Sequence, residues 1–195
     1  MMNIVRILAL SLALLAGPGI ADDAITLDQR VKYYDVKGLT QEAIARSLRR
    51  DAPRDLDGFQ GQANFWFAWN YEYRSAGERD GDNLCRVVNT EVDIKIVVTL
   101  PRHRRIADAP DDLESVWRDY AAAMEAHECN HAEDFVEIGS KIPDAIDGLV
   151  GPCRTIEDVA NAKGMEYVDL AQKAADDYDA ETNHGETEGT VFPGL

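Results

Sequence analysis

The chain has little positive charge, few histidines and no long apolar run. Only 20 Lys and Arg residues stand against 36 Asp and Glu residues, which gives a formal net charge of −16. Phosphate backbones and anionic lipid surfaces repel a polyanion of this kind, so we expect no nucleic-acid partner. A membrane-spanning helix needs about 20 apolar residues. We therefore expect no membrane span once the N-terminal segment described next has been removed.

The first 21 residues have the three parts of an export signal. Arg6 precedes an apolar run over residues 7–16, and a Gly-Pro-Gly break and small residues up to Ala21 follow. This order is typical of a secretory signal peptide. No cysteine follows the expected cleavage site, so a lipid anchor is not indicated. We predict a signal peptide at residues 1–21 and one globular domain at residues 22–195, located in the periplasm or secreted.

The chain has only three cysteines, and the predicted export determines whether they form a disulfide. In an oxidising compartment two of the three are expected to pair. Cys129 stands two residues from His127 and from His131, so on a helix its side chain points away from the face that the histidines share. Cys85 opens a strand-like segment and Cys153 follows a Gly-Pro break. We therefore predict a disulfide between Cys85 and Cys153 and a core position for Cys129.

Hydrophobic periodicity predicts an α+β domain without repeats or linkers. Period-two alternation indicates strands, and a 3.6-residue period indicates helices. The expected antiparallel strand pair covers residues 61–75 and 85–101, with turn residues between them at 75–83. Further predicted elements are a short strand at 31–38, a helix between Thr40 and Pro53, and helices at 111–142 and 155–181, followed by an irregular tail.

The helix predicted at 111–142 contains the sequence HECNH, residues 127–131. Residues four apart lie on one helix face, so His127 and His131 can converge on a single metal ion. Glu128 then stands at the edge of the site. There it can act as general base toward a zinc-activated water. The pattern predicts a zinc site with His127 and His131 as ligands and Glu128 as the catalytic residue.

A catalytic zinc ion needs a third protein ligand, and the chain has only four histidines. His184 is the preferred candidate because it stands in a loop of small residues just after the last predicted helix. Glu157, Glu166 and Asp179 remain open as alternatives. Two further roles are weaker hypotheses. Asp134 could hold a ligand imidazole by its second nitrogen, and the Tyr178 hydroxyl could stabilise a developing oxyanion.

Several segments together resemble a bacterial family of predicted secreted zinc-dependent proteases, which is catalogued as a domain of unknown function. The resemblance spans nearly the whole mature chain and is carried by YYDVKGLT, GQANFWFAWNYEYR, CRVVNTEVDIKIVVTLP, AHECNHAED and YDAETNHGETEGTVFP. It implies a zincin-like fold, an antiparallel sheet packed against the HECNH helix and a C-terminal helix. It also implies that the tail contributes to the site, through Tyr178, Asp179, Thr182, His184 and Gly185.

These observations lead to one expected function and two alternatives. The expectation is an exported zinc-dependent metallopeptidase that hydrolyses a peptide or amide bond in a peptide or protein substrate. The first alternative is a non-catalytic, exported zinc-binding or protein-interaction domain of the same fold. A structural zinc site is closed by a fourth protein ligand, whereas a catalytic one leaves a position for water. In the second alternative the sheet binds a partner and the helical motif is merely structural.

Overall fold

The computed structural model describes residues 24–56 and 58–195 and has an α+β architecture. The predicted signal peptide, residues 1–21, lies outside the described residues. Three short 3₁₀ helices lie at Arg54–Leu56, Ile106–Asp108 and Glu186–Glu188. The main elements in chain order are β1 (Ile25–Asp35), α1 (Gln41–Asp51), β2 (Gln62–Arg79), β3 (Asp82–Arg102), α2 (Asp111–Gly139), α3 (Ile142–Ile146), β4 (Val150–Pro152) and α4 (Ile156–Thr182).

The sheet is mixed, with β3 at its centre. β2 pairs antiparallel with one side of β3, as the alternation predicted, and β1 pairs parallel with the other side. The expectation of an antiparallel sheet is therefore wrong for β1. The reason is topological: β1 and β2 run in opposite directions, and a tight hairpin reverses the chain from β2 into β3. β3 must then run parallel to β1.

The hairpin between β2 and β3 is longer and its turn tighter than the sequence predicted. β2 continues to Arg79 and β3 begins at Asp82, which leaves only Asp80 and Gly81 in the turn. Both have positive φ, 56° and 85°. This is the backbone conformation of two-residue Asp-Gly turns, whose twist matches that of the strands they join. The segment at 75–83 is therefore mostly strand rather than loop.

The core lies between the sheet and the helices α2 and α4. Alternate residues of β3 face it, and Val92, Ile94, Ile96 and Val98 are at most 1% exposed. Full burial of such side chains contributes roughly 1.5–3 kcal/mol each to folding. α2 packs Trp117, Tyr120, Met124 and Phe135 into the same cluster. This packing fixes the position of α2, and with it the orientation of the HECNH sequence.

The helix ends agree with the predicted caps in position. The side chain of Thr40 accepts a hydrogen bond from the Ala43 backbone N–H, as expected of an N-cap. Thr155 is the N-cap residue of α4, although its side chain makes no capping hydrogen bond. α4 then runs for 27 residues and ends in a left-handed turn at Asn183. That turn brings the C-terminal tail back toward α2.

A disulfide joins Cys85 and Cys153, as predicted. It ties β3 to the segment between β4 and α4. A disulfide is consistent with an exported protein, because cytosolic thiols are kept reduced. Cys129 is a free thiol of intermediate exposure, so the expected core position is wrong for it. Within the described residues, no helix is both long enough and apolar enough to cross a bilayer.

Candidate metal centre

His127 and His131 lie one turn apart in the middle of α2, on the face that packs toward the core. Their exposed fractions are 4% and 6%. The two imidazole rings are roughly perpendicular, with 4.8 Å between their centroids. The amphipathic pattern of α2 explains this placement, because the histidines continue the same buried stripe as Met124 and Phe135.

Asp179 of α4 completes a cluster with the two histidines. Its Oδ1 atom lies 3.2 Å from Nε2 of His127 and 3.2 Å from Nε2 of His131. Single ligand atoms from all three side chains lie within 4.8 Å of one another. Asp179 was one of the alternatives left open by the sequence, and in the structure it is the acid that faces both imidazoles.

The donor set of this cluster fits a divalent metal ion. Zinc ligands lie about 2.0–2.1 Å from the ion in a tetrahedral arrangement, which puts neighbouring ligand atoms about 3.3 Å apart. The two 3.2 Å separations between Asp179 Oδ1 and the imidazole nitrogens match that spacing. Two imidazoles and one carboxylate suit zinc, and they also suit iron(II) and other divalent ions.

Burial keeps one of the imidazoles in the form that binds metals. The pKa of His131 lies below its usual value, because removal from water disfavours the charged imidazolium. The negative charge of Asp179 acts in the opposite direction but does not outweigh burial. His131 is therefore neutral at neutral pH and retains a lone pair for a metal ion.

A second layer of side chains orients His127 from behind. Nδ1 of His127 lies 2.8 Å from the Glu188 carboxylate, so the imidazole donates from Nδ1 and leaves Nε2 free on the side of Asp179. The Tyr178 hydroxyl donates to the same carboxylate, at 2.8 Å from Oε1. Such a carboxylate behind a ligand histidine fixes the ring and raises its basicity.

The charge state of Glu188 follows from these contacts. Partial burial, the largest single influence, would raise the pKa of this carboxyl group. The hydrogen bonds from His127 and Tyr178 act in the opposite direction, and the pKa lies below its ordinary value. Glu188 is therefore an anion at neutral pH and a strong acceptor for His127.

A turn of three residues in the left-handed backbone conformation brings Glu188 to this position. Asn183, His184 and Gly185 have φ angles of 53°, 54° and 78°. A Cβ atom on Gly185 would lie 2.6 Å from the Thr190 side chain and 3.1 Å from Nδ1 of His127. Only glycine fits this conformation and this close approach. The glycine after His184 therefore serves the return of the tail to α2.

Glu128 lies beside the cluster, 5% exposed, at the base of a cleft. Burial above all, together with the nearby charge of Asp179, raises the pKa of its carboxyl group to about 8, although a hydrogen bond from the Ala63 backbone acts in the opposite direction. A Cβ atom on Gly61 would lie 2.7 Å from Oε1 of Glu128, so the chain just before β2 approaches the carboxylate very closely at this glycine. A buried carboxyl group of perturbed pKa in a cleft is typical of a functional site.

His184, the preferred third ligand from the sequence, lies at the rim of the cluster. Its Nδ1 atom is 3.5 Å from Oδ2 of Asp179, and its side chain is 54% exposed. Its ring contacts Phe59. The alternatives Glu157 and Glu166 precede Asp179 in α4. The backbone carbonyl of Glu157 accepts a hydrogen bond from Tyr71 of β2, and the Glu166 carboxylate pairs with Lys163.

The two weaker hypotheses have different placements. Asp134 is half-buried on α2, and the carboxylate that accepts a hydrogen bond from His127 is that of Glu188. The Tyr178 ring stacks on His127 at 5.0 Å and meets His131 edge-on at 5.1 Å. Its hydroxyl is engaged by Glu188 and Asn130. Tyr178 is thus placed to orient the imidazoles, and its role toward a developing oxyanion stays a prediction.

Sequence reasoning missed Glu188. Its one signal was its position in the closing segment YDAETNHGETEG, which also contains Tyr178, Asp179 and His184. On a single helix, the spacing of nine residues between Asp179 and Glu188 would not predict that the two side chains lie in one site. They do so only because the chain turns back after α4.

The cluster opens into a cleft of about 780 Å³. One wall is β2, which contributes Phe65, Phe67 and Trp69, and the opposite wall is α4. The tail closes one end with His184, Glu186 and Val191. The cluster is therefore accessible from a groove of a size that suits a small or extended ligand.

Comparison with known families gives one match, over residues 31–185, to the family described as "Bacterial protein of unknown function (DUF922)". The chain belongs to this family. The match includes the two histidines, Glu128, Asp179 and His184, and it ends just before Glu188. The family description assigns no activity, so the zinc-protease character implied by the resemblance stays a prediction. Comparisons with curated proteins and with solved structures found no match.

Proposed function

We propose that this DUF922 protein is an exported zinc-dependent metallopeptidase with a zincin-like arrangement of its active site. The observation that carries the proposal is the position of Glu128. A buried carboxyl group lies directly beside two imidazoles and a carboxylate that converge on one point, and all four groups border one open cleft. This combination supplies metal ligands, a base and room for a substrate.

His127, His131 and Asp179 would hold the metal ion. Bound there, a zinc ion would polarise a water molecule and lower the pKa of nearby carboxyl groups. Glu128 accepts the proton of the attacking water and then delivers it to the leaving amine. Glu188 and Tyr178 hold His127 in place through this sequence.

The cleft supports a catalytic site over a purely structural one. A structural zinc site is closed by four protein ligands, whereas among the described residues three candidate donor groups lie together, and all three border the open groove. The non-catalytic alternative requires a further protein ligand to reach the metal ion. His184 is one such group at the rim, with Nδ1 3.5 Å from Oδ2 of Asp179.

The test uses Glu128→Gln beside the wild type, both loaded with one equivalent of zinc. Hydrolysis of a fluorescence-quenched peptide library by the wild type, and its loss in Glu128→Gln with zinc content unchanged, is the expected result. Glu125→Gln, at an exposed position of the same helix, is the matched control and should retain activity. Equal activity of wild type and Glu128→Gln would remove Glu128 from the mechanism. Zinc binding without hydrolysis of any library peptide would favour the non-catalytic alternative.

A further inference from the structure

The cleft continues well beyond the metal centre, between β2 and α4. The residues of α4 that line it recur at helical spacing: Met165, Val168, Gln172, Ala175, Asp176 and Asp179. A helix rises 1.5 Å per residue, so this stripe extends about 21 Å from Asp179 to Met165. An extended polypeptide covers that distance with about six residues. The groove therefore has the length to contact several residues of a peptide on one side of the metal centre.

The far part of the groove has an apolar wall that is held in place. The Trp69 indole packs against Gly164, where a Cβ atom would lie 2.5 Å from the ring. Its Nε1 atom donates to Asn161 at 3.1 Å. Phe67 on the strand and Met165 and Val168 on the helix flank it. Met165 remains 49% exposed, so apolar surface is available to a ligand.

The charges along the groove have one sign. Outside the proposed metal centre and Glu128, its lining contains two carboxylates, from Asp176 and Glu186, and no Lys or Arg within the described residues. An acidic side chain of a ligand would meet repulsion in this part of the groove, and no Lys or Arg of the lining would offset it. Neutral and basic ligands meet no such barrier.

We propose that the groove between β2 and α4 selects the substrate: it binds a large apolar side chain of a peptide against Trp69, Met165 and Val168, and it rejects peptides with carboxylates. This inference rests on the proposed peptidase function and names its substrate class. Apolar contact supplies the affinity, because the wall is preformed and loses little freedom on binding. The acidic lining supplies discrimination by repulsion.

Peptide binding tests this selection separately from hydrolysis. The probes are blocked Gly/Ala hexapeptides that carry Phe, Leu, Lys or Asp at one position, moved along the peptide. Binding to zinc-loaded Glu128→Gln is followed by tryptophan fluorescence, since the Trp69 indole lines the cleft. At the best position, Phe and Leu peptides should bind about tenfold or more tightly than the Asp peptide.

Two substitutions on α4 locate the selection. In zinc-loaded Glu128→Gln, the further substitution Met165→Lys should abolish the preference for Phe over Asp, because it removes an apolar contact and offsets the acidic lining. Leu170→Lys is the matched control, because Leu170 lies on the same helix at 51% exposure but outside the groove, and it should keep the preference. Equal binding of all four peptides, or an equal effect of both substitutions, would overturn the assignment. Selective binding without hydrolysis by the wild type would uphold the groove's specificity and refute only the peptidase activity.

Discussion

Replacing Glu188 with alanine removes the acceptor that faces Nδ1 of His127. The contact is a 2.8 Å hydrogen bond from a side chain that is 5% exposed to a carboxylate that is 35% exposed. Loss of a carboxylate behind a ligand histidine typically weakens metal affinity 10- to 100-fold, which corresponds to about 1.4–2.7 kcal/mol. We expect a zinc dissociation constant raised by that factor. Glu188→Gln keeps a neutral acceptor and should fall between alanine and the wild type.

Competition with a chromophoric chelator measures these dissociation constants directly. Glu186→Ala is the matched control, because Glu186 lies two residues away in the same short helix and its carboxylate pairs with Asn183 rather than with His127. It should leave the affinity unchanged. Tyr178→Phe removes one donor to Glu188 and should weaken binding less than Glu188→Ala does. Equal affinities for the wild type and Glu188→Ala, or equal losses in the Glu186 and Glu188 variants, would refute this account of the second layer.

Three predictions concern stability, measured by urea unfolding. Replacing Cys85 and Cys153 with serine opens a loop with a sequence separation of 68 residues and should cost about 4 kcal/mol, whereas unchanged stability would contradict it. Gly164→Ala forces a methyl group against Trp69 and should cost about 1–3 kcal/mol. Because the pKa of Glu128 is raised to about 8, its contribution to the stability of the metal-free protein is most favourable below pH 4.5 and falls by up to about 5 kcal/mol as the pH rises through 8. Glu128→Gln should abolish this pH dependence.

The strands and long helices could be predicted because their periodicity is strong. β2 and β3 alternate over many residues, and the apolar stripe of α2 is continuous. β1 was predicted too short because its core-facing side is only partly covered: Leu27 and Val31 are 47% exposed. Its weak alternation also leaves the parallel pairing with β3 unspecified. β4 has only three residues, too few to show a pattern.

The histidines of the site could be predicted from the sequence, whereas the sequence could not show which acidic residues face them. His127, Glu128 and His131 have fixed spacing on one helix face, so their relation is local. Asp179 and Glu188 are two of 36 acidic residues, and only tertiary packing of α4 and the tail brings them to α2. Among the possible third ligands, His184 was preferred because an imidazole in a loop of small residues has little packing purpose. That local argument carries no information on which side chain faces the two imidazoles.

Metal content of the purified protein tests the central claim most directly. Elemental analysis after zinc loading should find one ion per chain in the wild type. The ion should be lost in His131→Ala and in Asp179→Asn and retained in His184→Ala. Zinc retained in Asp179→Asn but lost in His184→Ala would make His184 the third ligand and contradict the centre described above. Absence of zinc from the loaded wild type would contradict a metal site at His127, His131 and Asp179 altogether.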